Sequence, residues 1–382
     1  MRIVVLGYIV RGPIGGLAWH HLQYVLGLRD LGHDVYFVED SDDYPACYDP
    51  SRGVVDTDPS YGLRFAANAF DRLDLGQRWT YYDAHTTAWM GPLAARGREI
   101  CESAELVLNL SGVNPLRPWL AEVPRRALVD TDPAFTQIRH LTDPNARASA
   151  AAHNSFFTFA ENINRENCLV PADDFAWQPT RQPVHLDAWS VTPGPNDGSW
   201  TTVMQWDSYR TAEYNGKYYG MKSQSFVEFV DLPSLAGPVF EIALGSEGAP
   251  RARLTELGWK VLDPLEVTRD PWSYQEFIRG SKAEWSVAKY GYVISESGWF
   301  SERSAAYLAS GRPVLTQQTG FSDWLETGFG LLAFDSIDEV LEGMEAIGAD
   351  YDLHCRAARE LAEASFDARK VLTNLIERAM SV

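Results

Sequence analysis

The chain is short of positive charge. It carries 33 Lys and Arg against 52 Asp and Glu among 382 residues, a formal net charge of −19. Such a balance argues against a nucleic-acid partner and against stable docking on anionic membranes, because both reward clustered cations. Cysteine is scarce too: Cys47, Cys101, Cys168 and Cys355 stand far apart with no CxxC pair. This reads as reduced thiols of a cytoplasmic protein, not a disulfide framework or a zinc site. No run of 18 apolar residues occurs, and the opening "MRIVVLGYIV" is too short an apolar run for a signal peptide. Repeats and low-complexity tracts are missing as well. So is a DxD motif at a place suited to a metal-held diphosphate. "DTD" at Asp130–Asp132 has the letters, but it follows a strand of the N-terminal half.

What is present is material for two cores. Hydrophobic residues make up 45% of the chain, whose length suits two domains of about 190 residues. "RIVVLGYI" reads as a buried strand, "VRGPIGG" as a glycine loop, "LAWHHLQYVLGLRDLGHDV" as a helix stopped at Gly32, and "VYFVED" as a second strand. That is a βαβ unit, the start of a parallel sheet. "ELVLNLSG", "RALVDTDP" and "FFTFAENI" supply further strands. From residue 176 to 199 the pattern dissolves into Pro, Gly and polar residues, which reads as a linker after an N-terminal domain of residues 1–175. Strands resume at "TTVMQW", "PVFEIAL", "WKVLD", "YGYVIS", "PVLTQQ" and "GLLAF", with a helix expected over Tyr274–Ala288. The expected fold class is α/β: two Rossmann-like, doubly wound domains around a cleft. The second spans residues 200–364, and a C-terminal helix over 365–382 crosses back to the first.

"SESGWFSERSAAYLASGRPV" (Ser295–Val314) raises the functional question. A helix begins near Glu302 or Arg303 and stops at Gly311. Its start is crowded with serines and one arginine. The positive end of a helix offers free N–H groups to an anion. The same letters also fit an ordinary capped helix, with Ser301 as N-cap and Glu302 in the first turn.

The organisation and two blocks resemble the GT-B glycosyltransferases, the family-four branch in particular. In "GGLAWHHLQYVLGLRDLGHDV" the residues Gly15, Gly16, His20, Gly32 and His33 fall at that branch's spacing. "YQEFIRGSKAEWSV…GYVISESGWFSERSAAYLASGRPVLTQQTGFSDWLETGFGLLAF" resembles its donor-binding core. The branch's paired glutamates are replaced by Gly298 and Ala306, whereas Phe300 fits. Glu296 and Glu302 lie nearby. The resemblance implies a donor diphosphate at Ser301, Glu302, Arg303 and Ser304. Arg210 and Lys222 (with Lys217 as an alternative) would neutralise the leaving group. Gly15 and Gly16 would approach the donor from the other side, and Thr319 and Gly320 would lie near its sugar. His20 is the candidate catalytic base with Asp130 to orient it, and His153 is a weaker candidate. Trp79, Tyr82 and Trp89 are candidate acceptor contacts, since aromatic faces suit sugar rings and flat aglycones.

The implied activity is transfer of a sugar from a UDP-, TDP- or GDP-linked donor to a hydroxyl of a soluble small molecule, such as a natural product. No metal and no cofactor are expected. The expected partners are the donor and a small-molecule acceptor, with no nucleic acid and no stable membrane association, in a monomer or homodimer. A GT-B-type sugar-nucleotide epimerase and a non-catalytic sugar-nucleotide binder are the alternatives. A nicotinamide or flavin enzyme is a third: the second strand ends in Glu39–Asp40, although "GYIVRGPIGG" is not GxGxxG.

Overall fold

A computed structural model describes residues 1–381. Its N-terminal sheet holds β1 (Arg2–Leu6), β2 (Asp34–Asp40), β3 (Trp79–Asp83), β4 (Ala88–Met90), β5 (Leu106–Leu110), β6 (Arg125–Asp130), β7 (Ser155–Thr158) and β8 (Trp177–Pro179). Their spatial order is β8-β7-β6-β5-β1-β2-β3-β4, parallel except for the β3–β4 hairpin. Strands such as β1 and β5 are apolar on both faces because helices cover both sides, which is the demand of a parallel sheet. The C-terminal sheet holds β9 (Trp200–Gln205), β10 (Phe240–Gly245), β11 (Lys260–Leu262), β12 (Ala283–Ser286), β13 (Val314–Gln317) and β14 (Leu331–Phe334). It is wholly parallel, in the order β11-β10-β9-β12-β13-β14. Two Rossmann-like domains therefore face each other, and the fold is GT-B.

The helices that position the site are α1 (Gly15–Asp30), α2 (Phe135–Thr142), α3 (Pro271–Gly280), α4 (Tyr290–Ser295) and α5 (Glu302–Ala309). At the C-terminus, α6 (Tyr351–Ser365) and α7 (Ala368–Met380) are separate helices. The break between them has a cause. Val184 of the interdomain segment donates its N–H to the Phe366 carbonyl at 2.7 Å and accepts from the Ala368 N–H at 2.9 Å. The helix is interrupted where the linker passes it. Beyond the break α7 packs on α1 of the N-terminal domain; a Cβ on Gly27 would meet the Leu372 and Ala368 side chains.

Three local readings need correction. "YGYVIS" is helix α4, and the strand lies earlier, at "AEWS". The helix expected over Tyr274–Ala288 ends at Gly280, and Ser281 has extended backbone. Four successive buried residues, Ala283 to Ser286, then pair with strands on both sides. A run with Trp between small and polar residues shows no period of two, so burial on both faces hid the strand. Finally, Trp177–Pro179 pairs with β7 and so belongs to the N-terminal sheet, not to a linker starting at 176.

Candidate active site

Chain order reverses in both sheets. In the N-terminal sheet it does so between β1 and β5, and in the C-terminal sheet between β9 and β12. Beyond the C-terminal ends of strands at such points lie the crevices where open α/β sheets take ligands. A cavity of about 980 Å³ lies at the second, roofed by the first turn of α1. Its walls include Gly16 and Leu17 from α1, Val203–Gln205 at the end of β9, Gly245–Glu247 after β10, Leu262–Leu265 after β11, and Glu302 and Arg303 from α5. A second cavity, of about 510 Å³, lies at the N-terminal crevice and is lined by Tyr8, Ser111, Thr131, Asp132, Phe135, Arg139, Tyr209 and Arg210 among others.

Helix α5 starts as its letters suggest. Ser301 is the N-cap; its Oγ accepts the Arg303 N–H at 3.2 Å. Arg303, however, is not free for an anion in the way the sequence implies. Its guanidinium is buried, donates from Nε to Glu284 and from Nη1 to the Val203 carbonyl at 2.7 Å. Glu284, fully buried on β12, holds that charge in place. Ser304 is buried and its Oγ has no partner, and Phe300 is core, stacked on Phe366 at 5.4 Å. Phe300 therefore shapes the loop and does not line either cavity.

Lys222, at the start of the helix Lys222–Phe226, has no hydrogen bond or ion pair among the described residues. Burial pushes its ammonium well below the usual lysine range, and the nearby Arg303 and Lys289 push it further, with Glu302 opposing. An unpaired cation held among cations is a standing demand for an anion. Arg210, the partner assigned to Lys222 from sequence, lines the smaller cavity, whereas Lys222 lines neither cavity.

His20 is buried on α1 with its Nε2 unpartnered. Burial lowers its pKa from 6.5, opposed by the Glu302 carboxylate, so the ring is neutral at pH 7. Asp130 does not orient it. The Asp130 carboxylate accepts from the Asp132 N–H (2.9 Å), Gln137 Nε2 (3.1 Å) and Thr158 Oγ1 (2.7 Å), which consumes it in shaping the β6–α2 turn. His153 is also structural: it bonds Asn109 Nδ2 at 3.1 Å and the Ala150 carbonyl at 3.1 Å.

Gly15 and Gly16 serve the closure of the domains. The Gly15 N–H donates to the Thr268 carbonyl at 2.7 Å, and a Cβ there would strike the Asp270 carbonyl oxygen. A Cβ on Gly16 would lie 3.1 Å from the Tyr274 ring. Trp19 adds an Nε1 bond to the Pro271 carbonyl at 2.7 Å. The backbone approach predicted for these glycines is thus directed at α3 and its preceding turn. Thr319 and Gly320 lie under Asn162, whose Nδ2 bonds the Gly320 carbonyl at 2.9 Å and Asp323 at 3.1 Å. Neither lines a described cavity wall.

The missing glutamates also have a physical account. Gly298 has φ +74°, and a Cβ there would sit 2.7 Å from Asn162 Cγ, so no side chain fits. Ala306 is buried in the core. Glu302 is the carboxylate that faces the cleft; Glu296 caps α4 in a left-handed conformation and does not line it.

Of the three aromatics, Trp79 is core, stacked on Phe70 at 5.7 Å. Tyr82 and Trp89 form a half-buried cluster with Trp119 at centroid distances of 4.8–5.5 Å. It sits at the β3–β4 edge, outside both cavities.

Sequence reasoning missed two constellations. Glu39, fully buried, accepts the N–H groups of Ile9, Val10 and Arg11 at 2.7 Å each, and so clamps the glycine loop. Asp40 pairs with Arg117 at 2.9 Å. Neither carboxylate is left for a nucleotide ribose, which removes the basis of the nicotinamide alternative. The second is a knot across the cleft: Asp132 of the N-terminal domain accepts from Lys289 Nζ (2.8 Å) and from the hydroxyls of Tyr209 and Tyr292. Its other members lie 77 to 160 residues from Asp132, and no local pattern announces it.

With this geometry in view, the class is a GT-B fold with paired cavities at its two crevices. The sequence matches no family model and no curated protein. Solved structures match in fold. An alpha-glucosyltransferase in complex with UDP-glucose and DNA containing an abasic site superposes with TM-score 0.60 at 10% identity, covering 99% of this chain and 98% of that one. Sucrose-phosphate synthase from Thermosynechococcus elongatus gives 0.55 at 12%, covering all of both chains. Anabaena HepE in complex with UDP and glucose gives 0.57 at 11%, again covering all of both.

One of these structures corrects an expectation. The acidic composition was read as excluding nucleic acid, yet the same architecture carries DNA in the alpha-glucosyltransferase. Net charge averages over the surface, whereas a polyanion responds to the local field at the cleft. The exclusion is withdrawn. No described helix is long and apolar enough to cross a membrane.

Proposed function

We propose that this chain transfers a sugar from a nucleoside-diphosphate sugar to an acceptor hydroxyl. The donor occupies the 980 Å³ cavity, and the acceptor enters through the 510 Å³ cavity. The observation that carries the reading is Lys222, which has no hydrogen bond or ion pair among the described residues and feels the charges of Arg303 and Glu302, two residues of the larger cavity's wall. The α5 N-terminus and Lys222 would take the diphosphate, stabilising the negative charge that grows as the anomeric C–O bond breaks. Charge compensation by protein groups makes the transfer independent of a divalent metal. His20, neutral at pH 7, would accept the proton of the acceptor hydroxyl as its oxygen bonds the anomeric carbon. The fold shared with proteins solved with UDP and with UDP-glucose supports the donor class.

The test is a thermal-shift panel followed by turnover. UDP, GDP or TDP should raise the unfolding temperature, and NAD and FAD should not. Turnover of the matching nucleotide sugar should survive exhaustive chelation. Stabilisation by NAD alone would refute the proposal, and activity that returns only on adding magnesium or manganese would refute its metal independence.

A further inference from the structure

The smaller cavity carries a charge that the sugar-transfer reading does not use. Arg139 projects from α2 of the N-terminal domain, and Arg210 from the loop after β9 of the C-terminal domain. Both line the cavity, and neither makes a hydrogen bond or ion pair among the described residues. The only carboxylate in the lining, Asp132, is already held by Lys289 and by the hydroxyls of Tyr209 and Tyr292. Both arginines are exposed, and with Asp132 already paired to Lys289 they leave this cavity with an excess of positive charge in a chain of net charge −19. The rest of the lining suits a sugar. Tyr8 and the hydrogen-bonded pair Ser111–Thr131 (2.7 Å) offer hydroxyls, and Phe135 and Tyr209 meet edge to face at 5.3 Å. A guanidinium binds phosphate through two parallel N–H···O bonds, a geometry that an ammonium lacks.

We propose that the acceptor is a sugar phosphate monoester, its phosphate gripped between Arg139 and Arg210 and its hydroxyls directed inward to Tyr8, Ser111 and Thr131. The inference rests on the reading of the cleft as a sugar-transfer site. Because the two arginines come from different domains, phosphate binding also favours the closed arrangement.

Calorimetry on the full chain saturated with UDP tests it, with inorganic phosphate, glucose 6-phosphate, fructose 6-phosphate and the unphosphorylated sugars as probes. At least one sugar phosphate should bind, and its parent sugar at least about tenfold more weakly, as expected for lost charge-assisted hydrogen bonds. Arg139→Gln and Arg210→Gln should each weaken that binding by about tenfold or more and leave UDP affinity within about twofold. Equal affinity for sugar and sugar phosphate, or no loss in the double variant, would overturn the proposal. A single-stranded oligonucleotide that binds more tightly through the same two arginines would assign them to a nucleic-acid backbone and overturn it as well. If UDP does not bind but sugar phosphates do, with the same arginine dependence, the donor reading fails and the anion site stands.

Discussion

Two cations near α5 behave oppositely at the level of single residues. Arg303 is bonded to a fully buried glutamate, so Arg303→Ala leaves Glu284 without a counter-charge. The expected loss is about 3–5 kcal/mol of stability in urea unfolding, and the double replacement Arg303→Met, Glu284→Leu should recover most of it. Lys222 has no such partner, so Lys222→Met should leave the unliganded protein as stable or more so, while UDP affinity falls by about tenfold or more. Its lowered pKa adds a signature. A bound diphosphate favours the charged form, so UDP binding in alkaline buffer should be accompanied by more proton uptake in the wild type than in Lys222→Met. Calorimetry in buffers of different ionisation heat measures this directly. His20→Gln should lower kcat by roughly 10²-fold or more with little change in UDP affinity. Because burial lowers the imidazole below 6.5, the acid limb of the rate profile should fall below that pH.

At the level of elements, the interlock of α1 with α3 is the feature most open to test. Gly15→Val would drive a side chain into the Asp270 carbonyl and break the Gly15–Thr268 bond. Small-angle scattering should show a larger radius for this variant, and KM for the donor should rise, while the circular dichroism spectrum is kept. The same elements show what was legible in the sequence. The first βαβ unit and the cap of α5 follow from local chemistry: apolar runs, a glycine stop, and a serine before a helix. β12 was not legible, because a strand buried on both faces has no alternation to show. Nor were the roles of Asp130, Gly15 and Arg303. Each side chain or amide is claimed by a partner that only the tertiary fold brings near, such as Thr158, Thr268 or Glu284. The glutamates missing at Gly298 and Ala306 were visible as letters, but the reason at Gly298, the close approach of Asn162, was not.

For the whole molecule, buried neutral histidines link stability to pH. Burial pushes His153 down to about 4, whereas in the unfolded chain it titrates near 6.5. The unfolded state therefore binds the extra proton first. His153 contributes its full share above pH 6.5, and that share is lost as pH falls towards 4, at about 1.4 kcal/mol per unit. The unfolding temperature of His153→Gln should thus fall less between pH 7 and 5 than that of the wild type; parallel curves would disprove the linkage. The course of the chain has another consequence. The N-terminal domain keeps Ala368, Leu372 and Leu375 of α7 as part of its wall, although they are made long after its sheet. On a ribosome adding about 5–20 residues per second, roughly 200 residues separate the end of its sheet from that missing piece, a wait of roughly 10–40 s. Throughout that interval the nascent domain shows an unfinished apolar flank. The intervening coding stretch is thereby a timer on the N-terminal domain, and synonymous codons within it set how long that flank stays open to chaperones.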